Sequence, residues 1–162
     1  MVRNRLYLIA FLLQSCSSLA PVAEAPVASP APPPRAERSE ALLQTLLALG
    51  VDYRYGGKSP TTGFDCSGLV AHVYREAWGV RLPANTTAQS QAGVPVSLAE
   101  LQAGDLVFYD TQKRPYSHVG IYLGEGKFVH APKTGAQVRI ESLQSAYWSQ
   151  RFNGARRIEP TY

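Results

Sequence analysis

Six of the chain's twelve prolines fall between Ala20 and Ala36, three of them consecutive at Pro32-Pro33-Pro34, and Ala, Val and Ser fill most of the remaining positions. Each proline fixes its own φ and withdraws a backbone donor, so this stretch is expected to run as an extended, semi-rigid tether in which no core can form. At about 3 Å per residue it separates its two ends by on the order of 50 Å. The length left for a core is roughly 39–162, the size of one ordinary domain, which needs neither disulfides nor metal to hold it. No internal repeat is visible in it.

Ahead of the tether, Met1, Arg3 and Arg5 precede the apolar run Leu6 to Leu13. Charge followed by grease is the order of an export signal, and the run is too short to span a bilayer. Leu13-Gln14-Ser15-Cys16 comes next and resembles a bacterial lipobox, where the leader is cut before a cysteine that carries lipid. On that reading 1–15 is a signal peptide, 16–38 a lipidated Cys16 with its tether, and 39–162 the domain. By analogy with bacterial lipoproteins, Ser17 points to the inner leaflet of the outer membrane, facing the periplasm; Asp there would have suggested retention at the inner membrane. The simpler alternative is an ordinary leader cut near Ala20, with Cys16 lost. Of 16 basic side chains, Arg3 and Arg5 leave with the leader, so 14 face 12 acidic ones, a net +2 that argues against a nucleic-acid binder.

Cys16 and Cys66 are the only cysteines. With Cys16 taken by lipid, Cys66 is a lone thiol in an oxidising compartment, and nucleophilic catalysis is the commonest reason to keep one there. An inert buried cysteine, or a Cys16 to Cys66 disulfide if the lipobox reading fails, are the alternatives.

Ala41 to Leu49 reads as a short helix with Ser39 as N-cap and Gly50 as stop. Val51-Asp52-Tyr53-Arg54-Tyr55-Gly56-Gly57 then opens a glycine-rich loop that ends in Phe64-Asp65-Cys66-Ser67-Gly68-Leu69-Val70. A second helix is expected from about Cys66 to just before Gly79. At about 100° per residue, Leu69, Val70, Val73 and Ala77 form one apolar stripe centred on Cys66, which turns the sulfur toward the core. Its place in the first turn, among unpaired N–H groups at the positive end of the helix dipole, is expected to lower the thiol's pKa.

A thiol nucleophile needs a base, and the histidines are His72, His118 and His130. His72 points about 120° away from Cys66 on the same helix and reads as a boundary residue. The other two lie in what looks like a hairpin, Ser117 to Leu123 and Lys127 to Ala131, joined by Gly124-Glu125-Gly126. With Leu123 opposite Lys127, His118 and His130 become diagonal neighbours on one face, and Val119, Ile121 and Leu123 share the other. A slip of one residue would separate the two rings. Asp105 to Tyr109 supplies a further strand. The expected architecture is α+β: helices on an antiparallel sheet, with the nucleophile on a helix, His118 on the sheet as its base, and His130 holding the base's far nitrogen. Two structural histidines bonded in a core, or a zinc site built from Cys66, His118 and His130, are the competing readings.

The order and spacing of Tyr53-Arg54-Tyr55-Gly56-Gly57, Phe64 to Val70, Leu82-Pro83, Gly104-Asp105-Leu106-Val107, His118-Val119-Gly120-Ile121-Tyr122 and Phe128-Val129-His130-Ala131 resemble the NlpC family of bacterial cell-wall endopeptidases, over nearly all of 41–162. The resemblance implies a papain-like fold with Cys66 as nucleophile, His118 as base and His130 as its orienting partner. It also implies that Tyr53 helps stabilise the oxyanion, that Asp65 either meets an amine of the substrate or caps the helix, and that Ser67 belongs to the same substrate-facing set. The loop between Gly57 and Cys66 is one residue longer than in close lipoprotein relatives. The implied substrate is the peptidoglycan stem peptide, cut between γ-D-glutamate and diaminopimelate or at the cross-link between stems. No metal or organic cofactor is implied, and the chain is expected to act as a monomer tied to the membrane through Cys16. A catalytically silent wall-binding lipoprotein, or an amidase or acyltransferase of the circularly permuted papain-like group, would share the same fold.

Overall fold

The structure, a computed structural model, describes residues 35–159, with side chains from residue 38 onward. The leader, Cys16 and the proline-rich run up to Pro34 lie outside the described residues. Helix α1 spans Arg35–Leu47, so it begins before the expected start at Ala41 and inside the stretch assigned to the tether. Ser39 therefore lies within the helix and does not cap it. The reason is local: Arg35, Ala36, Glu37 and Arg38 are good helix formers, and a proline ahead of them is tolerated at a helix start.

The glycine-rich loop is more ordered than its composition suggests. It carries a tight antiparallel pair, β1 (Lys58–Ser59) and β2 (Gly63–Phe64), and Arg54 N–H donates to the Phe64 carbonyl at 2.9 Å while Phe64 N–H donates to Asp52 at 3.1 Å. Helix α2 runs Cys66–Trp78 and closes on Gly79 at φ +67°, as expected. After α3 (Thr86–Gln89), β3 (Val94–Val96) and a 3-10 turn at Leu98–Glu100 come β4 (Leu106–Tyr109), β5 (His118–Gly124), β6 (Lys127–His130), β7 (Arg139–Ser142), α4 (Ala146–Ser149) and β8 (Phe152–Arg157). The last six strands form one antiparallel sheet in the order β3-β8-β4-β5-β6-β7.

The hairpin of β5 and β6 takes the expected register, with Ile121 opposite Val129 and Tyr122 opposite Phe128. Pairing continues past the expected loop: Gly124 meets Lys127 after a bulge, leaving Glu125 and Gly126 as a two-residue turn, both at positive φ. That left-handed pair is the turn geometry that matches strand twist.

Both faces of the sheet are covered. Leu106, Phe108, Val119, Ile121 and Val129 pack with Leu69, Val70 and Val73 of α2 and with Ala41 of α1. The alternate positions Val107, Tyr109 and Phe128 turn to the other side, where Trp148 of α4 closes a smaller cluster. Period-two alternation thus decides which side chains meet α2 and which meet α4. Asp105 is 1% exposed and is gripped by Arg157, Nε to Oδ1 at 2.9 Å and Nη2 to Oδ2 at 2.8 Å; Arg38 of α1 stands 3.9 Å away. A buried carboxylate is tolerable there because it is paired in a forked geometry and also accepts the Gln102 N–H at 2.8 Å.

Helix α2 is seated by a close backbone approach. A Cβ on Gly68 would lie 2.0 Å from the Gly57 carbonyl oxygen, and backbone has no flexible end with which to yield. Gly68→Ala is therefore expected to cost about 2–4 kcal/mol, a large loss for a domain of this size, visible as a lowered denaturant midpoint. An unchanged midpoint would show that the loop can retreat freely.

Candidate active site

Asp65 builds the start of α2. Its Oδ1 accepts the Gly68 N–H at 2.6 Å and the Ser67 hydroxyl at 2.9 Å, and its Oδ2 accepts the Gly56 N–H at 2.9 Å. One carboxylate thus caps the helix and pins the glycine loop to it, which is the capping alternative for Asp65. The Ser67 hydroxyl is also within 3.1 Å of the Ala84 carbonyl, so its single proton has two internal acceptors. Ser67 is buried and braces the helix start from inside. Behind it Gln89, fully buried, donates from Nε2 to the carbonyls of Ser67 at 3.0 Å and Pro83 at 2.9 Å.

Cys66 is half-buried against the main core, and the backbone N–H groups of Val119, Ser67 and Cys66 itself act to lower its thiol's pKa. The Val119 contact matters most, because Val119 follows His118. Strand β6 ends at His130, and its pairing with β5 begins where Ile121 meets Val129. The first residues of β5 are thus unpaired on that side. Helix α2 covers the Val119 and Ile121 face, whereas His118 belongs to the opposite face with Trp148.

His118 Nε2 and His130 Nδ1 are joined by a hydrogen bond of 2.7 Å, with the rings perpendicular and their centroids 5.0 Å apart. This is the pair expected from the hairpin register. Since Nε2 is committed to His130, Nδ1 is the nitrogen of His118 left for the sulfur. The same distance disfavours the zinc reading, because two nitrogens on one tetrahedral zinc at about 2.0–2.1 Å sit about 3.3 Å apart. Among the described residues no three His, Cys, Asp or Glu side chains group as metal ligands. His72 lies apart: its Nδ1 is 3.2 Å from Arg75 and its ring packs on Phe64 at 5.0 Å.

Sequence reasoning passed over Trp148. Its ring stacks on His118 at 5.6 Å and meets His130 edge-on at 4.9 Å, so it is the wall that dries both imidazoles. The available signal was its rarity, one of two tryptophans in the chain, but nothing local ties it to the histidines.

Burial dominates the charges of the site. It holds His118 down to about 4 and drives His130 lower still, with help from the charges of His118 and Arg139. It pushes the Cys66 thiol up to about 11, reinforced by the negative Asp65 and opposed by the three N–H groups. The expectation of a lowered thiol pKa is therefore reversed: the N–H groups at the helix start act in the expected direction, but desolvation exceeds them. At neutral pH the free site holds a thiol and a neutral imidazole. Tyr53, partly buried, has its phenol raised by burial and by Cys66, Asp65 and Tyr55, in that order.

Two measurements check these assignments. Alkylation of Cys66 by iodoacetamide is expected to be slow at pH 7 and to climb steeply above pH 9; a rate flat from pH 5 to 8 would instead indicate a standing thiolate–imidazolium pair. For stability, the unfolded chain binds more protons than the folded one between about 6.5 and 4, the ordinary and folded values of His118, so stability falls as pH drops through that window. Between about 9 and 11 the folded chain keeps the Cys66 proton that the unfolded chain has lost, so stability falls again as pH rises. A urea midpoint higher at pH 4 than at pH 7 would contradict the first claim, and one higher at pH 10 than at pH 7 the second.

Comparison with known proteins accords with this geometry. The NlpC/P60 family model matches residues 50–157. Over 121 residues the chain is 44% identical to the murein DD-endopeptidase MepH of Escherichia coli, covering 73% of this chain and 45% of that protein. Over 112 residues it is 39% identical to a gamma-DL-glutamyl hydrolase of Bacillus subtilis, covering 68% of this chain and 27% of that one. The crystal structure of an NlpC/P60 family protein from Bacillus cereus superposes with a TM-score of 0.70 at 34% identity, over 76% of this chain and 40% of the other. The chain thus spans less than half the length of each of these relatives. A matched region that runs from Gly50 through Cys66, His118 and His130 to the last strand, on the same fold, means that this chain belongs to the NlpC/P60 family.

Proposed function

We propose that this chain is a peptidoglycan endopeptidase that hydrolyses an amide bond of the stem peptides through a Cys66-His118-His130 mechanism. The observation that carries the proposal is the His118 imidazole held through Nε2 by His130 at 2.7 Å, in a matched family region that also carries Cys66 as the first residue of α2. The names of the similar proteins, a murein DD-endopeptidase and a gamma-DL-glutamyl hydrolase, support the substrate class.

In this mechanism His118 Nε2–H donates to His130 Nδ1, which leaves His118 Nδ1 as the base. Nδ1 takes the Cys66 proton as sulfur attacks the amide carbon, and the carbonyl oxygen becomes an oxyanion facing the Cys66 N–H and the Tyr53 hydroxyl. Imidazolium then protonates the nitrogen, the C–N bond breaks and the amine leaves. Water attacks the thioester, His118 accepts its proton, and the C–S bond breaks to return the thiol and a free carboxylic acid. Because resting thiol and imidazole are both neutral, charge separates only during attack. The dry wall of Trp148 that disfavours an imidazolium at rest makes it a strong acid toward the leaving amine.

We also propose, from the leader and lipobox alone, that Cys16 is lipidated and holds the enzyme at the outer membrane facing the periplasm. Among the described residues no helix is long and apolar enough to cross a membrane. Cys16→Ser is expected to abolish labelling by a radioactive fatty acid, and undiminished label would refute the anchor.

Digestion of purified sacculi followed by mass analysis of the released muropeptides tests the activity and identifies the bond. Cys66→Ala and His118→Ala are expected to lose activity by about 10⁴-fold or more, and Tyr53→Phe to lower kcat by about 10²-fold. Identical products from wild type and Cys66→Ala would overturn the assignment.

A further inference from the structure

A cleft of about 480 Å³ opens beside His118 on the Trp148 face. Its walls include Thr111, Lys133, Arg139, Ser145 and Tyr147 together with His118 and Trp148, and neither Cys66, Tyr53 nor Asp65 lines it. Its position relative to the two reacting side chains fixes which half of a substrate it can take. Sulfur bonds to the acyl carbon from the α2 side, whereas the departing nitrogen must reach His118 to collect a proton. The amine half therefore runs past His118, into this cleft, and the acyl half stays by Tyr53 and the start of α2.

The cleft is cationic in a specific way. Arg139 gives its Nε to Glu141 at 2.8 Å, so those two charges offset one another, but the Arg139 Nη groups have no partner among the described residues. Lys133 is exposed, and its ammonium has no ion pair or hydrogen bond among them. Arg139 is also near enough to His130 for its charge to oppose protonation there, which ties the cation to the reacting pair. The net result is one uncompensated positive charge and free guanidinium donors on the leaving-group side. Ser145, on the same wall, has a buried hydroxyl with no partner among the described residues.

We propose that this cleft is the leaving-group subsite and that Lys133 and Arg139 select a substrate whose amine half carries a free carboxylate. The inference rests on the peptidase reading above and narrows it. In both candidate bonds the leaving amine belongs to diaminopimelate, and in both the carboxylate at its D-centre is free, either beside the departing nitrogen or at the far end of the side chain. A carboxylate there meets a forked guanidinium and an ammonium, the pairing that geometry favours for Arg with carboxylate.

The test uses the full chain and two muropeptides identical except that the D-centre carboxylate of diaminopimelate is free in one and a primary amide in the other. Wild type is expected to favour the free acid by about tenfold in kcat/KM, the scale of one charge-assisted contact at a half-open site. Lys133→Gln with Arg139→Gln is expected to bring that ratio close to one, and Lys133→Glu with Arg139→Gln to invert it. Both side chains are exposed, so neither change disturbs the core. Equal rates on the two substrates in wild type, or the same preference in wild type and variants, would overturn the subsite while leaving the peptidase reading standing. If wild type cut neither substrate and matched Cys66→Ala, the peptidase reading would fall, and the subsite with it.

Discussion

The start of α2 is held at one place by contacts that leave it little freedom. Gly68 lies so close to the Gly57 carbonyl that no side chain fits between them, and the Asp65 carboxylate accepts from the helix on one oxygen and from Gly56 of the loop on the other. A helix start fixed in this manner can carry a reacting atom to within tenths of an ångström, which a free loop cannot do. The rest of the site is built outward from this point: α2 brings Cys66 against the main core, and the loop pinned to the helix start carries Tyr53, which packs on the same core.

The second half of the arrangement belongs to the sheet. The register of β5 with β6 puts His118 and His130 on one face as diagonal neighbours, and the early end of β6 leaves the beginning of β5 open to the helix.

Desolvation links packing to chemistry. Trp148 stacks on His118 and borders His130, so both rings are nearly removed from water and resist protonation, while the sulfur resists ionisation. Both neutral forms are favoured at rest, and the three N–H groups around the sulfur oppose burial without exceeding it. Charge then develops only with substrate present, in a site whose dipoles are already aimed. On the far side of His118 the surface changes character, and cations replace aromatic rings along the path of the departing amine.

Much of this was legible in the letters. The apolar stripe at helical spacing placed Cys66 in the first turn of α2, and the hairpin's alternation placed the two histidines on one face, because both follow from local periods of 3.6 and 2 that tertiary packing did not disturb. The end of α2 at Gly79 was equally readable from its glycine, whereas α1 stops at Leu47, two residues short of the expected Leu49. The earlier start of α1 was missed because the proline run hid four good helix formers behind it, and the order in the glycine loop was missed because its hydrogen bonds come from Phe64 and Asp65, set by the seating of α2. The sequence determined which groups could react and on which elements they ride, since those depend on neighbours within a turn or a strand pair. Tertiary structure alone decided the sign of the thiol's shift, the part played by Trp148 and the side from which the amine leaves, because desolvation and access are sums over residues far apart in the chain.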